Sequence, residues 1–195
     1  MIIGFYCSFG QTSEQTKIEP DFKSDFRLDK RIKFQYIRNA AYGYTFSRPT
    51  TFIEHLDSIA YTDSTIFYSK ENDAKLIYFV EGDINRQDTS KNYLFEYFNK
   101  LETGQQPILK NCRILKSKLL NDNKRLNYRG DFITIGQSND KQFVWKTQLS
   151  EVPISGDLTF KTMLLIYPID RQTYYQPIGV ELANNFGDML RGQKK

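Results

Sequence analysis

Few residues in this chain belong to the types that carry out nucleophilic or metal-dependent chemistry. The sequence contains one histidine, His55, and two cysteines, Cys7 and Cys112. A Ser-His-Asp or Cys-His triad would have to use His55, yet no Gly-x-Ser-x-Gly nucleophile motif is present. Zinc sites are built from several His or Cys ligands, which this chain does not supply. The sequence therefore predicts no catalytic and no metal-binding residue, and it indicates that His55 is a surface residue.

Carboxylates are the remaining groups that could act as catalysts. Glu54, Glu81 and Asp83 are candidates by residue type, because two acids placed across a cleft can hydrolyse a glycosidic bond. Their spacing does not place two of them together, so a carboxylate-dependent hydrolase of the cell envelope stays an alternative. Neither Gly-x-x-x-x-Gly-Lys nor Gly-x-Gly-x-x-Gly occurs, and these are the loops that bind nucleotide phosphates. No cofactor is predicted.

Positive charge is concentrated in residues 110–129, where seven Lys or Arg residues accompany a single acid, Asp122. The residues that could form a basic binding surface are Lys116, Lys118, Lys124 and Arg125. Such a surface would suit an anionic polymer, which is the second alternative function. Strand alternation places Lys116 and Lys118 on one face and Arg113 on the other, and this weakens that alternative. No nucleic-acid-binding motif accompanies the charge, so no nucleic-acid partner is predicted.

The first ten residues carry no charge and end in Ser8-Phe9-Gly10. A signal peptide has a basic start, an apolar core and small residues just before its cleavage site. The basic start is missing here and the apolar core is short, so residues 1–10 are interpreted as the remnant of a signal peptide, cleaved between Gly10 and Gln11. This predicts an exported protein, periplasmic or extracellular. If the segment is not a signal remnant, the protein is cytoplasmic.

Cys7 raises the alternative of a lipid anchor, in which the modified cysteine becomes the first residue of the mature protein. The bulky Phe5 and Tyr6 stand where that processing requires small residues, so the anchor is disfavoured. No later stretch approaches the roughly 18 apolar residues of a spanning helix, and no transmembrane segment is predicted. Cys112 then has no partner for an intrachain disulfide and is interpreted as a buried strand residue.

Hydrophobic periodicity predicts the elements that position these groups. The predicted strands are 31–38, 42–48, 65–69, 74–81, 112–120, 131–136, 142–149 and 158–167. Residues 50–56 are predicted to form a short helical turn. An apolar face at helical spacing predicts a helix over residues 90–101, and Pro177 fits the first position of a second helix. The sequence thus predicts an α+β fold, a mostly antiparallel β-sheet with helices packed across it.

No repeat and no long linker divides the chain, so a single domain is predicted. Its limits are residues 31–190, preceded by the signal remnant at 1–10 and a polar leader at 11–30. Residues 191–195 are assigned to a basic tail. The chain contains 15 Phe and 13 Tyr, and a domain of this size can bury a sizeable core without disulfides.

The order of elements resembles the PsbP-like fold, a sandwich of sheet and helices. Residues 42–49, Tyr-Gly-Tyr-Thr-Phe-Ser-Arg-Pro, resemble its aromatic-Gly-aromatic opening strand, and the hairpin over 65–80 resembles the next two strands. Residues 161–168 followed by 178–186 resemble its closing strand and C-terminal helix. The family includes the extrinsic protein of the plant oxygen-evolving photosystem, the nuclear-import factor that acts on the GTPase Ran, and many small bacterial exported proteins.

The resemblance implies a non-catalytic binding or assembly protein and transfers no functional residue to this chain, because fold alone does not decide function. Together with the predicted export and the missing catalytic motifs, it favours an exported, non-catalytic binding or accessory domain. The expected partner is an unidentified protein or a ligand of the cell envelope.

Overall fold

The computed structural model describes residues 22–55, 63–84, 93–120, 130–152, 155 and 157–188. In this part of the chain it contains ten strands, two α-helices and one 3-10 turn, in the order β1 (Phe34–Asn39), β2 (Tyr44–Pro49), β3 (Phe52–His55), β4 (Asp63–Ser69), β5 (Lys75–Ile84), α1 (Tyr93–Glu102), β6 (Cys112–Leu120), β7 (Gly130–Ser138), β8 (Lys141–Glu151), β9 (Leu158–Pro168), the 3-10 turn Ile169–Arg171, α2 (Gln172–Asn185) and β10 (Gly187–Asp188).

Seven of the strands form one antiparallel sheet in the order β3-β4-β5-β9-β8-β7-β6, and β1, β2 and β10 form a second antiparallel sheet. The predicted α+β class is confirmed. Strand β9 lies at the centre of the large sheet, and Met163, Leu164 and Leu165 are fully buried. The strand needs apolar residues on both faces because both faces are covered.

The large sheet has two covered faces, which we call the α1 face and the α2 face. The α1 face carries a core that includes Phe79, Phe143 and Trp145 together with α1. The α2 face carries a second core that joins α2 and the small sheet to residues such as Tyr78 and Leu165. Successive residues of a strand alternate between these two faces, so each polar side chain in a strand is assigned to a face by its register.

Helix α1 packs on its sheet face through Leu94, Tyr97, Phe98 and Leu101, all of them buried. These residues lie at helical spacing on one side of the helix, as the sequence predicted. The helix is followed by Gly104, whose φ of +68° is in the left-handed region that glycine adopts without strain. The predicted apolar face is therefore a packing face.

Helix α2 begins at Gln172, so the prediction that Pro177 occupies its first position is wrong. Pro177 is the sixth residue of the helix and is buried. Because proline has no N–H, α2 lacks one backbone hydrogen bond at this position. Tertiary packing compensates, since most of the stability of a short helix in a protein comes from burial of one face, and every residue from Tyr175 to Val180 is buried.

Residues 52–55 form strand β3, whereas the sequence predicted a helical turn over 50–56. Phe52 is buried and pairs with Ser69 of β4. The guanidinium of Arg48 donates to the backbone oxygen of Phe52 at 2.5 Å. A neighbouring strand satisfies the backbone groups here, and that partner lies beyond the reach of local sequence preference.

Candidate functional site

A cavity of about 400 Å³ lies on the α1 face, at the end of β5. It is lined by Glu81, Gly82, Tyr97, Lys100, Gln105, Gln106, Pro107 and Phe160. The lining combines two aromatic rings with a carboxyl group, an ammonium group and two amides. Concave sites with an apolar wall and a few convergent polar groups are the usual form of ligand sites in proteins.

A β-bulge next to Glu81 opens this cavity. The pairing of β5 with β9 shifts register between Glu81 and Ile84, and Gly82 has a φ of +76°. A Cβ atom built on Gly82 would meet nothing within 4 Å, so the space beside this glycine is open. Bulges bend a strand locally and redirect side chains, and here the bulge follows directly on the carboxylate.

Helix α1 supplies the opposite wall of the cavity. The hydroxyl of Tyr97 donates a hydrogen bond to the Glu81 carboxylate, and the Tyr97 ring packs on Phe160 with 4.2 Å between ring centroids. Lys100 follows Tyr97 by three residues, so both lie on the same side of the helix. Gln106 is buried, which brings an amide into the interior of the site.

Burial dominates the electrostatics of the site. It raises the pKa of Glu81, and the Tyr97 hydroxyl and the charge of Lys100 only partly offset this effect. Burial likewise raises the pKa of Tyr97 well above its ordinary value, and the neighbouring Glu81 adds to the rise. A carboxyl with a raised pKa in a cleft is a recognised indicator of a functional site, because a domain gains no stability from burying such a group.

The raised pKa of Glu81 gives a testable dependence of stability on pH. Because the folded-state pKa is above the unfolded one, the unfolded chain loses this proton first as pH rises. We therefore expect the free energy of unfolding to fall as pH rises from the ordinary glutamate pKa of about 4.3 to the raised value. Glu81→Gln should remove this part of the dependence, which urea denaturation at a series of pH values would measure.

Glu102→Gln is the matched control, because Glu102 is an exposed carboxylate on α1. It should leave the difference between acidic and neutral pH unchanged. Equal pH dependence of the wild-type chain and Glu81→Gln would contradict the raised pKa.

The other carboxylates predicted by type do not join Glu81. Glu54 pairs in register with Phe67, whose side chain belongs to the α2 face, so the sheet separates Glu54 from Glu81. The side chain of Asp83 is not among those described. Glu81 is the one acid in the described lining of the cavity, and paired-acid hydrolysis requires two.

A buried polar row crosses the α2 face, and the sequence did not predict its burial. Asp131, Gln148 and Lys161 are opposite one another on β7, β8 and β9, and each is at most 3% exposed. Lys146, one row further along, forms an ion pair with Asp131 at 3.0 Å. The alternation in β8 correctly predicted that Lys146 and Gln148 lie on the face opposite Phe143 and Trp145. It could not predict that this second face is also covered.

Three oxygen atoms in or beside this row lack a hydrogen-bond partner: Asp131 Oδ1, Gln148 Oε1 and Thr159 Oγ1. Buried acceptors of this kind are normally satisfied by ordered water. Ammonium groups stand beside them, so the row suits neither a metal cation nor an apolar ligand. We interpret the row as a structural network of the core.

A second bulge changes which basic residues share a face of β6. Strand β6 shifts register between Ile114 and Lys116, so Leu115 is an extra residue in its pairing with β7. Arg113 is opposite Gln137, Lys116 opposite Ile135 and Lys118 opposite Ile133. These partners lie on one face, so Arg113 shares the α2 face with the two lysines. The predicted separation of Arg113 from Lys116 is therefore wrong.

The charge of Lys116 is already balanced within the chain. Its ammonium lies 3.1 Å from Asp25 Oδ1 and donates to the backbone oxygen of Lys23 at 3.0 Å. Lys118 is half-buried and also has an interaction partner. Lys124 and Arg125 lie outside the described residues, as do Gly10, Gln11 and Cys7, so the basic surface and the processing site remain predictions.

The single histidine and the described cysteine are placed without catalytic partners. His55 is exposed on β3 and its ring packs against Tyr68. Cys112 is half-buried, and burial raises the pKa of its thiol, which disfavours the reactive thiolate. Within the described ranges no group of acids, His and Cys could hold a metal ion. The helices described there are too short or too polar to cross a bilayer.

Comparison with solved structures defines the fold. The chain is similar to the solution structure of cyanobacterial PsbP from Synechocystis sp. PCC 6803, with a TM-score of 0.53 and 14% identity over 80% of this chain and 92% of that chain. This is an α+β protein of the PsbP-like fold, as the resemblance of its opening strand, central hairpin and closing helix predicted. At this identity the similarity establishes the fold alone.

Two further structures align with lower scores. The Ran-binding protein Mog1p of Saccharomyces cerevisiae has a TM-score of 0.43 at 12% identity, covering 80% of this chain and 96% of its own. LpqN of Mycobacterium tuberculosis, which is involved in cell envelope biogenesis, has a TM-score of 0.46 at 10% identity, covering 84% of this chain and 98% of its own. No family model and no curated protein matches the sequence.

Proposed function

We propose that this protein is an exported, non-catalytic binding domain and that the cavity around Glu81 is its ligand site. The observation that carries the proposal is the Glu81–Tyr97 pair at the wall of the cavity of about 400 Å³. Burial raises the pKa of this carboxyl even with the Tyr97 hydrogen bond in place. A carboxyl held at this cost beside an open bulge is better explained by a ligand than by packing.

The lining indicates the chemistry of the ligand. Glu81 accepts hydrogen bonds when ionised, Lys100 donates them, and Gln105 and Gln106 can do both. The rings of Tyr97 and Phe160 offer a flat apolar surface beside these groups. This combination suits an uncharged group with several donors and acceptors and one apolar face, such as an N-acetylated sugar.

Binding without turnover is favoured over hydrolysis. The described lining contains one carboxylate, and its hydrogen-bond partner is a tyrosine whose own pKa is raised. The raised pKa of each group disfavours the ionised form that a nucleophile requires. The cavity can therefore orient a polar group, but it offers no second acid or activated nucleophile to cleave one.

Export is part of the same proposal. Its support is the apolar segment that ends at Gly10 and the polar residues that begin at Gln11. A mature chain that begins at Gln11, measured by mass spectrometry of protein from its native host, would support it. A mature chain that retains Met1 would contradict export and favour a cytoplasmic protein.

The binding site can be tested by titrating the protein with N-acetylglucosamine and following backbone amide shifts by NMR. We expect the largest shifts at Gly82, Lys100 and Gln106, with a Kd on the order of 1 mM, which corresponds to a binding free energy of about −4 kcal/mol. Glu81→Gln should weaken binding by about tenfold, because it removes a charge-assisted hydrogen bond.

Glu102→Gln again provides the matched control and should leave binding unchanged. Shifts that concentrate elsewhere, or equal binding by the wild-type chain and Glu81→Gln, would contradict the assignment of the site. Release of a cleaved product from a chitooligosaccharide would contradict the non-catalytic function.

A further inference from the structure

The segment before β1 packs across the α2 face on the far side of the sheet from the Glu81 cavity. We call residues 22–26 the strap. These residues belong to the predicted leader, yet they contact both α2 and β6. No strand pairing holds them within the described part of the chain, so their position depends on side chains that surround them.

An aromatic residue anchors the strap. Phe22 is 8% exposed and belongs to the core of the α2 face. The Lys116 ammonium lies 5.2 Å from the centroid of its ring, within the range of a cation–π interaction. The fold therefore provides a pocket for an aromatic side chain, with a cation at its edge.

Helix α2 binds the backbone of the strap through two amide side chains. Gln176 Oε1 accepts from the Asp25 backbone N–H at 3.1 Å and from the Ser24 hydroxyl at 2.9 Å. Asn184 Nδ2 donates to the backbone oxygen of Phe22 at 3.1 Å. Gln176 is only 4% exposed. Two of these three hydrogen bonds involve backbone atoms of the strap and do not depend on its sequence, whereas the third requires the Ser24 hydroxyl.

The ammonium group of Lys116 binds the other end of the strap, at Asp25. Lys116 Nζ contacts the backbone oxygen of Lys23 and Asp25 Oδ1. Its side chain is 41% exposed and that of Asp25 is 61% exposed. The groove thus distinguishes two side chains, an aromatic residue and, three positions later, a carboxylate.

We propose that the groove between α2 and β6 is a docking site for a short segment of a partner protein with an aromatic residue followed three positions later by an acid. Residues 22–25 are its intramolecular occupant. The charge complementarity of Lys116 and the strap already seated there identify the chemistry of that partner. The proposal is independent of the Glu81 cavity.

The ion pair of the strap adds little to its binding, so we expect that a partner segment can displace it. Its ion pair is largely exposed, and such pairs contribute little in water. One buried ring and a few hydrogen bonds remain to hold it against the conformational entropy of a free segment. A partner segment that makes the same contacts has to overcome only the effective concentration of the tethered strap.

The test uses the full chain and a labelled peptide with the sequence of residues 20–28. The variant Phe22→Ala lacks the ring that fills the pocket, so its groove should be open. We expect it to bind the peptide about tenfold more tightly than the wild-type chain does, because the intact strap competes. Fluorescence anisotropy would measure both affinities.

Peptide variants test the selected chemistry. A peptide with Phe22→Ala should not bind, and one with Asp25→Asn should bind several-fold more weakly and with less dependence on salt. Adding Gln176→Leu to the Phe22→Ala chain should abolish binding, with circular dichroism to confirm the fold. If Phe22→Ala fails to fold, Asp25→Lys provides a second variant with an open groove. The new lysine repels Lys116 and so releases the strap, and its exposed position leaves the core intact.

Failure of both open variants to bind the peptide would overturn the proposal and leave the strap as a fixed part of the fold. Equal binding of the native and Phe22→Ala peptides would also overturn it. Self-association of the wild-type chain that the peptide disrupts would overturn the assignment to a separate partner and give the groove to a second copy.

Discussion

Replacing Asp131 with alanine should lower the free energy of unfolding by about 3–5 kcal/mol. Asp131 Oδ2 lies 3.0 Å from Lys146 Nζ, and the side chains are 5% and 12% exposed. Removal of the carboxylate leaves an ammonium group beneath α2 without its counter-ion. The desolvation of that charge, rather than the loss of one hydrogen bond, sets the magnitude. Urea denaturation followed by the fluorescence of Trp145, the single and fully buried tryptophan, would measure it.

The double variant Asp131→Leu with Lys146→Met separates these two causes. Buried ion pairs are often replaceable by apolar residues of similar size with little loss of stability, and Lys146 already lies between Ile133 and Met163 in the sheet register. We expect the double variant to be within about 1 kcal/mol of the wild-type chain. A loss below about 1 kcal/mol in Asp131→Ala alone would show that the pair is hydrated.

Gly179→Ala should lower the free energy of unfolding by about 2 kcal/mol, although alanine is the better helix former. A Cβ atom at this position would lie 2.7 Å from Val144 Cγ2 and 2.8 Å from Val144 Cβ. Val144 is fully buried and has a short, branched side chain that cannot turn away. The helix must then move off the sheet, which disrupts the core between α2 and β8.

Thr173→Ala provides the control on the same helix. Thr173 is exposed, and its replacement should change stability by less than about 0.5 kcal/mol. If Gly179→Ala instead increased stability by its gain in helix propensity, the close packing of α2 on β8 would be contradicted. The same denaturation curves provide the comparison.

Periodicity predicted most elements of this fold because each pattern has a local cause. The alternation in residues 142–149 predicted most of β8 and its apolar face, and the apolar spacing of Leu94, Tyr97, Phe98 and Leu101 predicted the packing face of α1. Both patterns arise from the geometry of one element against one surface. Two predictions were wrong. Pro177 lies inside α2 because burial of the helix compensates for the missing hydrogen bond, and residues 52–55 form a strand because they pair with β4.

Only some residues of the candidate site could be predicted from the sequence. Glu81 was a candidate by residue type, and Gly82 directly after it carried an indication of a bulge, since an isolated glycine in a strand often marks one. Tyr97 was assigned to packing alone, and Lys100 and Gln106 were not singled out. They come together because the chain after α1 returns along the sheet, and sequence spacing contains no information on that return.

The sequence by itself determined the α+β class, most of the strands and the shortage of candidate metal ligands and histidine-activated nucleophiles, since these follow from residue types and short-range periodicity. Only the tertiary structure decided which polar residues are buried and which share a face. One extra residue, Leu115, moved Lys116 to the face of Arg113, because a bulge reverses strand alternation. Burial of Asp131 and Glu81 depends on helices that pack from elsewhere in the chain, and this long-range packing sets their electrostatics.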